Sequence, residues 1–153
     1  REAILAGQER EFGAESKEVG GALYDLGLAY WRLGDNVKAR DACERALPIV
    51  EREYGSDSAV VAGVLNNLGN AYGSLGDYAK KRGMLERALA IDEQAYGPDH
   101  PNVAITLFNL AMVNGNLGDI AKRRELLERV LPIWTRAYGT DHRMTKMCRT
   151  QLA

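Results

Sequence analysis

The sequence has little of what marks several common classes of protein. Only two of its 153 residues are cysteine and four are proline, and its formal net charge is −1. Cys43 and Cys148 show no CxxC spacing, so we expect reduced thiols and a cytoplasmic location rather than a disulfide framework. A nearly neutral charge and a pI near 6.2 predict no general attraction to nucleic acid or to an anionic membrane.

Long apolar segments and targeting features are also missing. No run approaches the roughly 20 apolar residues that span a bilayer, and no signal-peptide pattern opens the chain. The sequence begins at Arg1 rather than at a methionine. We therefore expect a piece that was excised or processed from a longer polypeptide and that has no membrane partner.

What the sequence does contain is a repeat of 42 residues. Leu-Gly-Asp recurs at 33–35, 75–77 and 117–119, and residues 61–102 and 103–144 are identical at 22 of 42 aligned positions. A period in this range is typical of solenoids, in which each unit buries its apolar face against its neighbours. We expect one repeat domain over residues 1–153, composed of the end of a preceding repeat (1–18), three whole repeats (19–60, 61–102 and 103–144) and the start of a following one (145–153).

Each repeat predicts two helices. In the second repeat, the first helix is expected from about residue 61 to residue 75. Its inward face would consist of Leu65, Leu68, Gly69, Tyr72 and Leu75. Gly76 is expected to end this helix and Asp77 to cap the next one, which runs to about Tyr96. No segment shows sustained strand alternation, so the sequence predicts an all-α fold.

These residues resemble the tetratricopeptide repeat in its long, 42-residue variety, which occurs in kinesin light chain and in bacterial multi-repeat proteins. Leu65, Leu68-Gly69 and Tyr72 meet the family pattern of a large residue, Leu-Gly and Tyr. The resemblance implies a right-handed superhelical solenoid of antiparallel helix pairs, with the first helices along the concave surface. It also implies a scaffold that binds peptides or proteins and catalyses nothing itself.

One position departs from the family pattern. A small residue usually lies early in the second helix, where it packs on the first. Ala39 fits this pattern, but Lys81 and Arg123 occupy the equivalent places. Either their aliphatic stems extend outward, or the helices pack differently there.

The resemblance places the polar flank of each first helix in the groove. The groove residues that it implies are Tyr24, Asp25, Asn67, Asn70, Phe108, Asn109, Met112 and Asn116. A carboxamide both donates and accepts, so a ladder of asparagines can pair with the backbone of an extended peptide, while aromatic side chains serve as anchors. The alternative is that these residues are ordinary solvated helix faces. The clamp with which chaperone-tail-binding members hold a terminal carboxylate is absent, because Gly21, Gly63 and Ile105 occupy its positions.

The remaining signals favour structural roles. Basic residues open each second helix, but glutamates four residues further on can pair with them, so we expect a solvated surface rather than a nucleic-acid site. His100 and His142 lie in the turns between repeats and are expected to cap helices. No arrangement predicts a metal, a cofactor or an active site.

A second hypothesis for the function is a spacer or self-association element. It rests on apolar residues near the ends of the chain, Ile4, Leu5 and Leu152, which could stack on another copy.

Overall fold

A computed structural model describes residues 1–153 as eight α-helices without a strand. The helices are α1 (Glu2–Phe12), α2 (Lys17–Leu33), α3 (Asn36–Tyr54), α4 (Ala59–Ser74), α5 (Tyr78–Tyr96), α6 (Pro101–Asn116), α7 (Ile120–Tyr138) and α8 (Arg143–Leu152). Short turns join them. The predicted all-α fold of successive helix pairs is confirmed.

The chain divides into two compact units, Arg1–Met84 (unit 1) and Leu85–Ala153 (unit 2). In unit 1, α2 packs on α1, α3 and α4, and α3 packs on α4. In unit 2, α7 packs on both α6 and α8. None of the helices is long and apolar enough to cross a membrane.

A Gly-Asp turn joins the two helices of a pair. Gly34 follows α2 with φ +82°, a left-handed conformation in which a residue without Cβ is least strained. Asp35 then caps α3 by accepting a hydrogen bond from the Lys38 backbone N–H at 3.2 Å. Gly76 and Asp77 repeat this arrangement, with φ +84° and a 3.1 Å bond from the Lys80 N–H. The predicted helix stop and helix cap are therefore confirmed.

The core of unit 1 lies between α2, α3 and α4, where Leu23, Cys43 and Leu65 are at most 1% exposed. Gly27 allows α3 to approach α2 closely, because a Cβ at this position would lie 2.5 Å from the Cys43 Sγ. Leu75, in contrast, is 41% exposed. Its predicted inward orientation was wrong, because α4 ends at Ser74 and Leu75 belongs to the turn.

The core of unit 2 contains larger side chains. Leu107, Leu127 and Trp134 are at most 1% exposed. The Cys148 thiol is also buried, and it donates a hydrogen bond to the Leu127 carbonyl at 3.5 Å. Burial raises the pKa of Cys148 to about 11 and that of Cys43, in unit 1, to about 12. Both cysteines are free thiols.

Candidate functional site

The asparagines of unit 1 lie on α4, on a face that is only partly accessible. Asn66, Asn67 and Asn70 are all half-buried. The Asn66 Oδ1 and the Asn67 Nδ2 are shielded from solvent and have no hydrogen-bond partner. An unpaired buried polar atom costs about 1–3 kcal/mol. These two atoms therefore cost stability, and only the accessible part of each amide can meet a partner.

Tyr24 of α2 packs against α4. A Cβ at Gly63 would lie 2.8 Å from the Tyr24 Oη, so the glycine makes room for the phenol ring. Burial, with a smaller contribution from the Asp25 carboxylate, raises the pKa of Tyr24. Asp25 itself is exposed, and its carbonyl accepts a hydrogen bond from the Arg1 Nη1 at 3.1 Å. Gly63 thus occupies a position of the absent carboxylate clamp and serves here to seat an aromatic ring.

Unit 2 brings two of the predicted residues, Met112 and Asn116, to one cavity of about 290 Å³. Its walls are Met112, Gly115 and Asn116 of α6, Arg123 of α7 and Gln151 of α8. The cavity therefore combines an apolar side chain, two carboxamides and a cation. Such a mixture suits a peptide, whose backbone offers donors and acceptors and whose side chains offer apolar surface.

Arg123 was not predicted as a residue of this site. Its Nη2 donates hydrogen bonds to both the Oε1 and the backbone carbonyl of Gln151, the latter at 3.3 Å. Its Nε is shielded and has no partner. The guanidinium thus holds α8 to α7 while its stem forms one side of the cavity.

The departure from the family pattern has a steric explanation. A Cβ at Gly115 would lie 2.9 Å from the Arg123 Cδ, and a Cβ at Gly73 of α4 would lie 2.6 Å from the Lys81 Cδ. The long stems therefore run across glycines of the preceding helix, and burial lowers the pKa of Lys81. In the first repeat the sizes are reversed: the small Ala39 stands at the position of Lys81 and Arg123, and the large Trp31 stands at the position of the two glycines. This exchange of sizes is visible in the repeat register and could have identified Arg123.

The other predicted residues of unit 2 lie on α6. Phe108 is half-buried and packs on Trp134 of α7, with ring centroids 5.3 Å apart and planes tilted by 37°. This contact supplies a packing role for Phe108. Asn109 is half-buried on the same helix.

The histidines cap helices as predicted. The His100 Nδ1 accepts a hydrogen bond from the Asn102 N–H at 3.1 Å, and the His142 Nδ1 accepts one from the Met144 N–H at 3.3 Å. Each ring also stacks on the tyrosine four residues earlier, with centroids 4.9 and 4.7 Å apart. No group of three or more potential metal ligands converges anywhere in the structure.

The basic residues at the start of the second helices are largely paired with nearby acids. Arg124 pairs with Glu128 at 3.8 Å, as the spacing predicts. Arg40 pairs instead with the adjacent Asp41 at 2.7 Å. Exposed pairs of this kind contribute about 0–1 kcal/mol each, so they describe a solvated surface.

Helix pairs in a constant 42-residue register, with half-buried polar side chains on their first helices, define a helical-repeat protein. Sequence models described as Tetratricopeptide repeat match residues 18–94, 82–122 and 103–143. The chain belongs to the tetratricopeptide repeat family. No curated protein sequence matches it significantly.

Solved structures with similar folds include one of a Podosopora anserina protein that is named after kinesin light chain and described as having TPR-like repeats nearly identical to one another. That structure has a TM-score of 0.84 at 22% identity over 99% of this chain and 72% of its own. A variant of the same protein with one substitution gives 0.85 at 22% identity, with coverage of 99% and 71%. BtubC (BKLC) from P. vanneervenii gives 0.81 at 23% identity over 88% of this chain and 54% of its own. These likenesses establish the fold, and repeats of this family generally mediate protein–protein interactions.

Proposed function

We propose that this chain is a non-enzymatic scaffold module that binds an extended segment of a protein partner along the first helices of its repeats. The observation that carries the proposal is the cavity of unit 2, where the predicted groove residues Met112 and Asn116 meet Arg123 and Gln151. In unit 1, Asn67 and Asn70 of α4 are half-buried, so part of each residue is accessible to a partner. Asn67, Asn70 and Asn109 would grip the partner backbone, and the apolar Met112 would anchor a side chain.

The expected affinity follows from the number of such contacts. A hydrogen bond contributes a net of about 0.5–1.5 kcal/mol, so one carboxamide cannot hold a peptide. Several carboxamides and one apolar anchor are needed to reach the roughly 8 kcal/mol of a micromolar complex. A grip on backbone groups leaves the partner's sequence only loosely specified.

The proposal can be tested with peptides selected from a random library on the immobilised chain. The double variant Asn67→Ala, Asn109→Ala should bind the selected peptides at least about tenfold more weakly, because two backbone contacts of about 1 kcal/mol are lost. Asn102→Ala, an exposed residue in the first turn of α6, serves as the matched control. Equal binding by the wild type and the double variant would refute the proposal.

A second candidate function is self-association through apolar surface of unit 2. A cavity of about 580 Å³ lies between α7 and α8, with Ile120, Leu127 and Leu152 among its walls, and Ile120 is 60% exposed. Arg123, Arg124 and Gln151 also line this cavity, so a contact with another copy would combine apolar burial with polar pairing. Sedimentation at rising concentration should then show dimers that Ile120→Lys abolishes. A monomer at every concentration would eliminate this function.

We further infer that the module works in the cytoplasm without a cofactor or nucleic acid. Two free, buried thiols suit a reducing compartment. Fractionation of cells that express the tagged chain would test this location, and recovery from a secreted fraction would contradict it.

A further inference from the structure

Three side chains recur as a set in unit 1. Tyr30 donates its hydroxyl hydrogen to the Glu2 Oε1, and the Lys38 Nζ lies 5.3 Å from the centroid of the Tyr30 ring. A repeat later, Tyr72 donates to the Glu44 Oε1, and the Lys80 Nζ lies 4.9 Å from the Tyr72 ring. Each tyrosine is thus held by a carboxylate at its hydroxyl and by an ammonium over its ring.

The set is incomplete in unit 2. The 42-residue register places Glu86, Asn114 and Lys122 at the three positions, so an asparagine stands where the first two repeats have tyrosine. Asn114 is 3% exposed, and its Nδ2 donates to the Leu110 carbonyl of its own helix at 2.8 Å. The amide is therefore turned back to α6. The carboxylate and the ammonium of this repeat have no ring of the chain between them.

A cavity of about 360 Å³ marks this position. Glu86, Leu89, Leu110, Asn114, Lys122 and Leu126 are among its walls. The corresponding cavity of unit 1, beside Tyr30, measures about 220 Å³. Its walls include Ala42 where unit 2 has the larger Leu126. The cavity of unit 2 is larger despite that bulkier residue, so the extra space follows from the missing ring.

We propose that this cavity binds the side chain of a tyrosine from a protein partner. The phenol ring would occupy the space between Leu89, Leu110 and Leu126, and its hydroxyl would donate to Glu86, as Tyr30 and Tyr72 do to their glutamates. A carboxylate offers about four acceptor sites, so Glu86 can accept this bond beside other interactions. A volume near 360 Å³ is within the range of cavities that hold small ligands.

The wall chemistry selects against related groups. A phosphorylated tyrosine would bring two negative charges to the hydroxyl position beside Glu86, while the cations of the same walls, Lys122 and Arg129, are paired with Glu125 and Glu93. A phenylalanine would fill the space but bring no hydroxyl hydrogen to Glu86. Lys122 now pairs with Glu125 at 2.8 Å on an exposed surface, so it can exchange that weak pair for the face of the bound ring.

This site is separate from the carboxamide groove and does not depend on it. N-acetyl-L-tyrosinamide is a suitable probe, and its binding can be followed by the NMR chemical shifts of the Leu89 and Leu126 methyl groups. We expect a dissociation constant of about 1 mM, in the range of small fragments. N-acetyl-L-phenylalaninamide should bind about tenfold more weakly, because a hydrogen bond to a charged group contributes about that factor.

Two variants test the location. Asn114→Tyr should fill the cavity from within, abolish binding of the probe and raise the melting temperature. Tyr30→Asn should open the equivalent cavity in unit 1 and raise the stoichiometry from one probe per chain to two. If the melting temperature of Asn114→Tyr is at or above that of the wild type, a loss of binding by this variant cannot be attributed to unfolding.

The proposal is overturned by any of three results. The first is no shift of the wild-type methyl signals with N-acetyl-L-tyrosinamide at about ten times the expected dissociation constant, that is at about 10 mM. The second is that the wild type binds the phenylalanine amide as tightly as the tyrosine amide, or that the Asn114→Tyr variant binds the tyrosine amide as tightly as the wild type. The third is that p-cresol binds while N-acetyl-L-tyrosinamide does not, which would indicate a site for a small phenol rather than for a tyrosine residue of a partner. The groove variants Asn67→Ala and Asn109→Ala should leave the binding of the probe unchanged.

Discussion

Unit 1 and unit 2 follow the same 42-residue register but have different kinds of side chain at equivalent buried positions. Unit 1 has Tyr72 where unit 2 has Asn114, and Val50 and Val64 where unit 2 has Asp92 and Thr106. All six side chains are at most 8% exposed. Around Tyr72, unit 1 is therefore packed with apolar and aromatic groups, whereas around Asn114 unit 2 keeps buried polar groups and a cavity.

The difference matters because packing and binding compete for the same positions. A ring that fills its own repeat stabilises that repeat and leaves no space for another molecule. An asparagine at the same position gives up that stabilisation and leaves a cavity of about 360 Å³. We infer that the surroundings of Tyr72 are more firmly packed than those of Asn114, and that the surroundings of Asn114 hold more of the binding capacity.

The largest expected effect concerns the tyrosine position. Tyr72→Ala should lower the free energy of unfolding by about 3 kcal/mol, since it removes a buried aromatic ring. Asn114→Ala should lower it by only about 1 kcal/mol, the value of its hydrogen bond to Leu110. Urea unfolding followed by circular dichroism measures both values. Equal losses would contradict the proposed difference between the units.

A smaller effect is expected for the buried acid. Asp92 accepts a hydrogen bond from the Thr106 Oγ1 at 2.8 Å, and burial raises the pKa of its carboxyl group above the ordinary 3.8 while this bond opposes the shift. Replacing the pair by valines, Asp92→Val with Thr106→Val, reproduces the chemistry of unit 1. At pH 7 this change should raise the free energy of unfolding by about 1–2 kcal/mol.

The sign of the pH dependence follows from the raised pKa. The folded chain binds the Asp92 proton more tightly than the unfolded chain, so this residue favours folding below pH 3.8, and that contribution is lost as pH rises through the folded pKa. The gain of the double valine variant should accordingly be larger at pH 7 than at about pH 3. Thr106→Val alone is the control, because it removes the donor and should destabilise at pH 7. A gain that is independent of pH would contradict this explanation.

Much of the fold was predictable because its signals are local. The repeat register, the helix stop at Gly76 and the cap at Asp77 each depend on residues a few positions apart. Leu75 was misplaced because one residue at a helix end decides between the core and the turn. The resemblance to the family then predicted which side of the first helices would form a groove.

The features that sequence reasoning missed depend on pairs of residues in different helices. Arg123 acquires its role from Gly115 of α6 and Gln151 of α8. The cavity at Asn114 is interpreted as a tyrosine site because Tyr30 and Tyr72, at the equivalent positions, contact Glu2 and Glu44. A comparison of the repeats position by position would have singled out both Arg123 and Asn114. The contacts that each position makes with other helices required a structure.

The most direct measurement of the central proposal combines binding and stability in one double variant. Asn67→Ala and Asn109→Ala should weaken the binding of a selected peptide at least about tenfold. The melting temperature should stay the same or rise, because the change removes an unpaired buried amide atom of Asn67 and replaces asparagine by a better helix former. Undiminished binding, or a melting temperature that falls together with the affinity, would contradict the proposal and assign these asparagines a structural role.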